Sequence, residues 1–171
     1  IARRLVSATT DLFEEWQTGH VGLYTFPNSV KHQHLYQSFG FWPRYLTPIL
    51  SLAVRPERPA VSYETYSGLS DDQRDAFLKA SHELTDAIYG GLDVRGEIRA
   101  VAGPPLGDTV QVWDDSGLAA FAICHCGPET EAGKDTCYVK FAAARSAEAY
   151  AAMLGAVEAF AARRGLSRVE A

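Results

Sequence analysis

Sulfur is scarce in this sequence, with one Met and three Cys in 171 residues. Three cysteines without a regular, even-numbered spacing exclude a disulfide-stapled secreted scaffold and fit a reducing, cytoplasmic compartment. An excess of positive charge is also missing. Sixteen Lys and Arg stand against 21 Asp and Glu, for a net charge of −5. Phosphate binding wants a basic face, so this balance argues against a nucleic-acid partner, although it allows one small cationic pocket. No apolar run approaches the roughly 18 residues of a membrane span, and no signal-peptide core is present. What the chain does have is 47% hydrophobic residues, enough for one ordinary domain with a sizeable core.

The apolar residues Leu5, Val6, Thr9, Leu12, Phe13 and Trp16 recur at helical spacing. They predict a first helix over residues 1–18, ended by Gly19. His20 to Phe26 is strand-like. Pro27-Asn28-Ser29 then gives a turn or helix cap, because Pro fixes φ and the Asn and Ser side chains can bond nearby N–H groups. From Val30 the apolar spacing is helical as far as Gly40, a natural terminator. Phe41-Trp42 and Tyr45 to Val54 read as a further strand, with Pro48 demanding an edge or a bulge. Residues 55–69 carry two Pro, a Gly and little periodicity, and are expected to be a linker.

Ser70-Asp71-Asp72-Gln73 is a capping box. It opens a helix to about Tyr89, with Phe77, Leu78, Leu84 and Ile88 as its apolar stripe. A short helix over Val94 to Val101 follows. Thr109 to Asp114 alternates Val110 and Val112 against Thr109, Gln111 and Trp113. Leu118 to Cys126 is almost continuously apolar, as in a strand covered on both faces. Thr136 to Ala144 is a third strand. Ala147 to Arg164 is helical, with Tyr150, Met153, Leu154, Val157 and Phe160 inward, and Arg168 to Ala171 begins a fourth strand.

The run Leu35-Tyr36-Gln37-Ser38-Phe39-Gly40-Phe41, preceded by a strand and a helix, resembles the L-Y-x-x-x-G-F segment of the Gcn5-related N-acetyltransferase (GNAT) family. Members usually carry an Asn that contacts coenzyme A at the start of this helix. Here Ser29 holds that place and Asn28 stands one residue earlier. In the family the corresponding upstream helix follows an R-x-x-G-x-G loop, and Ile1-Ala2-Arg3-Arg4-Leu5 is similar to the sequence after it. Unpaired N–H groups at a helix start, with the positive end of the helix dipole, suit a pyrophosphate. The resemblance therefore implies acetyl-CoA as co-substrate, gripped near Ile1, Ala2, Arg3, Arg4, Asn28 and Ser29. It implies Tyr36 as a general acid that protonates the departing thiolate, and a small-molecule or peptide amine as acceptor. For Arg3, Arg4, Asn28 and Ser29 the plainer reading is a solvated helix face and ordinary capping.

A weak internal repeat aligns Leu5, Val6, Thr9 and Leu12 with Met153, Leu154, Val157 and Phe160. The expected organisation is the C-terminal half of one GNAT-like repeat over 1–54, a linker over 55–69, and the first part of a second repeat over 70–171. The chain opens inside a helix and closes inside a strand, and is expected to be a piece of a longer protein. The implied fold class is α/β: a mixed, mostly antiparallel sheet flanked by helices, incomplete or permuted. The second repeat looks degenerate. Phe141 to Glu148 contains no glycine to curl around a phosphate, and Glu148 puts a carboxylate in the first helical turn. Cys124-His125-Cys126 and Cys137 raise a zinc reading. Strand alternation turns His125 away from the two cysteines, however, so buried free thiols are expected and no metal. The competing class for the whole protein is a non-catalytic module that binds an acyl-CoA or a protein.

Overall fold

The computed structural model describes residues 1–25, 28–44, 48–55, 62–103 and 105–171. Its contacts divide the chain into two units, Ile1–Pro48 and Ile49–Ala171, so the division falls after Pro48 rather than after residue 54.

Among the described residues, the first unit holds two helices, α1 (Ala2–Glu15) and α2 (Val30–Gln37). α1 does not run on to Gly19. Gln17 takes a φ of 51°, and the N–H groups of Gln17 and Thr18 donate to Glu14 O and Phe13 O, each at 3.0 Å. The helix is thus closed by a left-handed residue that is not glycine. α2 ends as its sequence predicts. Gly40 has φ +85°, its N–H donates to Gln37 O at 3.1 Å, and the Phe41 N–H reaches Tyr36 O at 3.2 Å. That pair of bonds satisfies two terminal carbonyls of the helix. The expected strands at 20–26 and 41–42 are not formed: 20–25 and 41–44 are irregular, and Phe26 lies outside the described residues. An extended segment without a neighbour leaves its N–H and C=O groups to water, so strand-like composition is not sufficient. None of the described residues of this unit is buried. Leu5, Leu12 and Trp16, the predicted inner stripe of α1, are exposed.

The second unit begins with β1 (Ser51–Ala53) and β2 (Glu64–Thr65), followed by a 3-10 turn over Tyr66–Gly68. Tyr45 and Leu46, expected at the start of the first of these strands, and residues 56–61 of the expected linker 55–69 lie outside the described residues. The rest of that linker is structured instead, because Tyr66 and Leu69 are buried and act as an anchor. Then come α3 (Asp71–Ile88), α4 (Arg95–Val101), β3 (Gly107–Asp114), β4 (Gly117–Gly127), β5 (Gly133–Ala144), α5 (Ala147–Arg163) and β6 (Arg168–Glu170). The predicted capping box opens α3: Gln73 N–H donates to Ser70 Oγ, and Ser70 N–H donates to Gln73 Oε1 at 2.9 Å.

The strands form one six-stranded sheet in the order β1-β6-β5-β4-β3-β2, antiparallel throughout except for the parallel pair β5–β6. This is the mixed, mostly antiparallel sheet flanked by helices that the sequence predicts. α5 packs Met153, Val157 and Phe160 on one face, against Val110, Ala122 and Cys124. α3 and α4 pack Phe77, Leu78 and Ile98 on the other, against Phe121 and Ile123. Each such side chain taken from water contributes about 1.5–3 kcal/mol. Two helical layers explain why Thr109 and Gln111 are buried although β3 reads as half-polar. Ile88 and Tyr150, expected inward, are exposed because they sit in the last and first turns of their helices, beyond the sheet.

The edge strand β1 is fixed at long range. Its pairing with β6 is extended by Leu50 and Ala171, which exchange N–H···O bonds of 2.7 and 3.0 Å. Arg55, just beyond it, gives its backbone N–H and its Nε to Glu158 Oε1, both at 3.1 Å, and its Nη2 to Oε2 at 3.3 Å. Glu158 lies on α5 with 1% of its surface exposed.

Candidate functional site

The residues singled out by the sequence lie on the two helices of the first unit. At the start of α1, Ile1 occupies the N-cap without a side-chain hydrogen bond, and no acidic residue stands in the first turn. The Arg3 guanidinium lies over the Phe39 ring, 5.5 Å from its centroid, and Arg4 is exposed. The first turn of α1 is thus brought to the end of α2.

On α2, Tyr36 is half-buried. Its ring stacks against His32 at 6.4 Å and meets the edge of Phe41 at 6.2 Å. Ser29 is the N-cap by position, but its hydroxyl makes no cap bond to the backbone; Ser29 Oγ pairs with His32 Nδ1 at 2.7 Å instead. Asn28 is exposed in the turn before it. The structure therefore joins Ser29, His32, Tyr36 and Phe41 along one side of α2. His32 was not among the sequence candidates. Its spacing of three from Ser29 and four from Tyr36, which is helical neighbourhood, was the available signal.

The start of α5 differs. Ser146 Oγ accepts the Ala149 N–H at 3.1 Å, and Glu148 stands in the first turn. Its own backbone N–H, then the Ser146 hydroxyl, holds the Glu148 carboxyl below the usual range. This helix start is satisfied by its own side chains.

Comparison with family models, curated proteins and solved structures finds no match.

The three thiols are free and buried on the α5 side of the sheet. Hydrogen bonding to Cys137, then burial, pushes the Cys126 thiol up; hydrogen bonding to Cys124, together with burial, raises Cys137. Both stay neutral and are poor nucleophiles. His125 turns to the opposite face, where its Nε2 meets Glu97 Oε1 at 3.1 Å. Among the described residues no group of three or more His, Cys, Asp or Glu could hold a metal ion. Nor is any helix among them long and apolar enough to cross a membrane.

Proposed function

We propose that the chain belongs to a GNAT-type acyltransferase that moves an acetyl group from acetyl-CoA to an amine. The observation that carries this reading is the order of the second unit: two helices, an antiparallel meander, a helix, and a strand parallel to the last of the meander. That order resembles the N-terminal and central part of a GNAT domain. In this reading the first unit carries the coenzyme site and the second is architectural. The resemblance puts a pyrophosphate near Arg3 and Arg4 in the first turn of α1, whereas Glu148 at the start of α5 repels one. Asn28 and Ser29 stand at the start of α2 as further contacts.

The amine nitrogen attacks the thioester carbonyl carbon, forming the C–N bond, and the C–S bond breaks with its electron pair on sulfur. The Tyr36 hydroxyl gives that sulfur its proton, the amine nitrogen releases one to water, and water returns a proton to the Tyr36 phenolate. A phenol is neutral at pH 7 and suits the task. The acceptor is a small-molecule or peptide amine, the site of action cytoplasmic, and nucleic acid is no partner of a chain with net charge −5.

A second reading, a non-catalytic acyl-CoA or protein-binding module, is favoured by the self-satisfied start of α5. Calorimetry and turnover in the intact protein separate the two. Acetyl-CoA should bind wild type and Tyr36→Phe with equal heats, while turnover falls about 100-fold or more in the variant. Binding without any acetyl transfer selects the module, and unchanged turnover removes Tyr36 from the reaction.

A further inference from the structure

In the second unit a cavity of about 470 Å³ lies between β2, the first turns of α3, and β3. Small-molecule sites run to roughly 300–1,000 Å³. Gln111 stands on its wall with 1% of its surface exposed. The Gln111 Oε1 accepts the Trp113 indole N–H at 2.7 Å. An indole N–H can only donate, so the amide oxygen is held there and the amide nitrogen is the end left over. That Nε2 is buried and has no hydrogen-bond partner.

Gln73 lines the same cavity and repeats the arrangement. Its Oε1 is held by the Ser70 backbone N–H, also an obligate donor, so its NH2 group is turned away from the cap. Gln111, with its unmet buried N–H, and the exposed Gln73, with its oxygen likewise fixed, both line this one cavity. An unmet buried donor is costly, and an acceptor brought by a ligand removes that cost. The other walls include Leu69, Ala76 and the partly exposed Trp113 indole, a flat apolar surface. Glu64 pairs directly opposite Gln111 in the sheet, so the two side chains share a face. Its carboxylate penalises a second anion.

We propose that this cavity binds a small, flat, uncharged molecule through a carbonyl-type oxygen. Gln111 Nε2 receives the oxygen, Gln73 assists, and the ring lies against Trp113. The site is separate from the acyl-transfer reading and stands or falls without it.

The test is an NMR titration of the ¹⁵N-labelled 171-residue chain. The probes are nicotinamide, a flat neutral carboxamide, and nicotinate, its anionic counterpart of the same shape. Nicotinamide is expected to move the Gln111 side-chain NH2 resonances saturably, and nicotinate to bind about tenfold more weakly or worse. Gln111→Met keeps the volume and should weaken nicotinamide about tenfold. Gln73→Glu keeps the capping box while replacing the donor with an acceptor, and should weaken it as well. Glu64→Gln should narrow the gap between the two probes. Backbone amide shifts of α3 and β4 check that each variant is folded. Unmoved Gln111 resonances, equal binding of the two probes, or unchanged affinity in folded Gln111→Met would each overturn the proposal.

Discussion

Replacing Gly107 with Ala probes the tightest backbone approach in the second unit. Gly107 opens β3 with φ +146°, and an added Cβ would lie 1.9 Å from Cys124 O and 3.1 Å from Val101 Cγ2. Real Cβ atoms keep at least 3.0 Å from such an atom, and the atom here is backbone, not the movable end of a side chain. Cys124 cannot retreat freely. It pairs with Asp108 on one side and Val139 on the other, and the next bond, Cys126 N–H to Leu106 O at 2.8 Å, is part of the same crossing. Forcing a non-glycine φ costs about 1–3 kcal/mol. Displacing the ladder forfeits about two hydrogen bonds, at about 1 kcal/mol each. Crowding Val101 adds about 1 kcal/mol. The expected loss is about 4–6 kcal/mol, a large part of the roughly 5–15 kcal/mol that holds a domain folded. Urea melts followed by circular dichroism should show the midpoint falling by about 2 M or more, or no folded baseline at all. Gly117→Ala is the control, since its φ is +114° with nothing within 4 Å of the added atom; it should cost only about 1–2 kcal/mol. If Gly107→Ala costs no more than Gly117→Ala, the close approach is not what the residue is for.

Glu158→Ala removes the anchor of Arg55 and opens space beneath α5, so chemical denaturation should report a loss of about 2 kcal/mol, with Glu158→Gln losing less. The Asp93 carboxyl is lowered from 3.8 to about 2, chiefly by the side-chain hydrogen bond from Arg95. A depressed carboxyl stabilises the fold above its ordinary pKa and loses that contribution as pH falls through about 2. Acid melts between pH 4 and pH 2 should therefore be flatter for Asp93→Asn, and a parallel curve would refute the pairing. None of the described residues of the first unit is buried, and a helix the length of α1 is marginal in water by itself. Its amides, and those of α2, should exchange with deuterium well before those of α3 and β4; equal protection would contradict the exposed apolar stripe.

Features held by neighbours in sequence were legible from it. Ser70 and Gln73 are three residues apart, and the box they form fixes where α3 begins. Gly40 ends α2 because only a residue at ease with positive φ allows the Phe41 N–H to reach Tyr36 O. The continuous apolar run of β4 announced a strand covered on both faces, and alternation announced that His125 would part from Cys124 and Cys126. The Tyr36 helix was readable too, and helical spacing placed His32 beside it, but the Ser29–His32 bond depends on a rotamer.

What the sequence by itself determined is this local grammar: most helix starts and stops, though not the end of α1, and the three-stranded meander. Which distant segments pair was decided only in three dimensions. β1 lies more than a hundred residues from β6, and Arg55 is 103 residues from Glu158. Of the strand-like runs expected at 20–26 and 45–54, only the second forms a paired strand among the described residues, at Ser51–Ala53 beside β6. The unpartnered Gln111 amide belongs to the same class, because its burial depends on segments remote in sequence that cover β3, and no residue near it in the chain announces that. Backbone propensity acts over a few residues, whereas sheet pairing and burial are settled by whichever remote surface arrives.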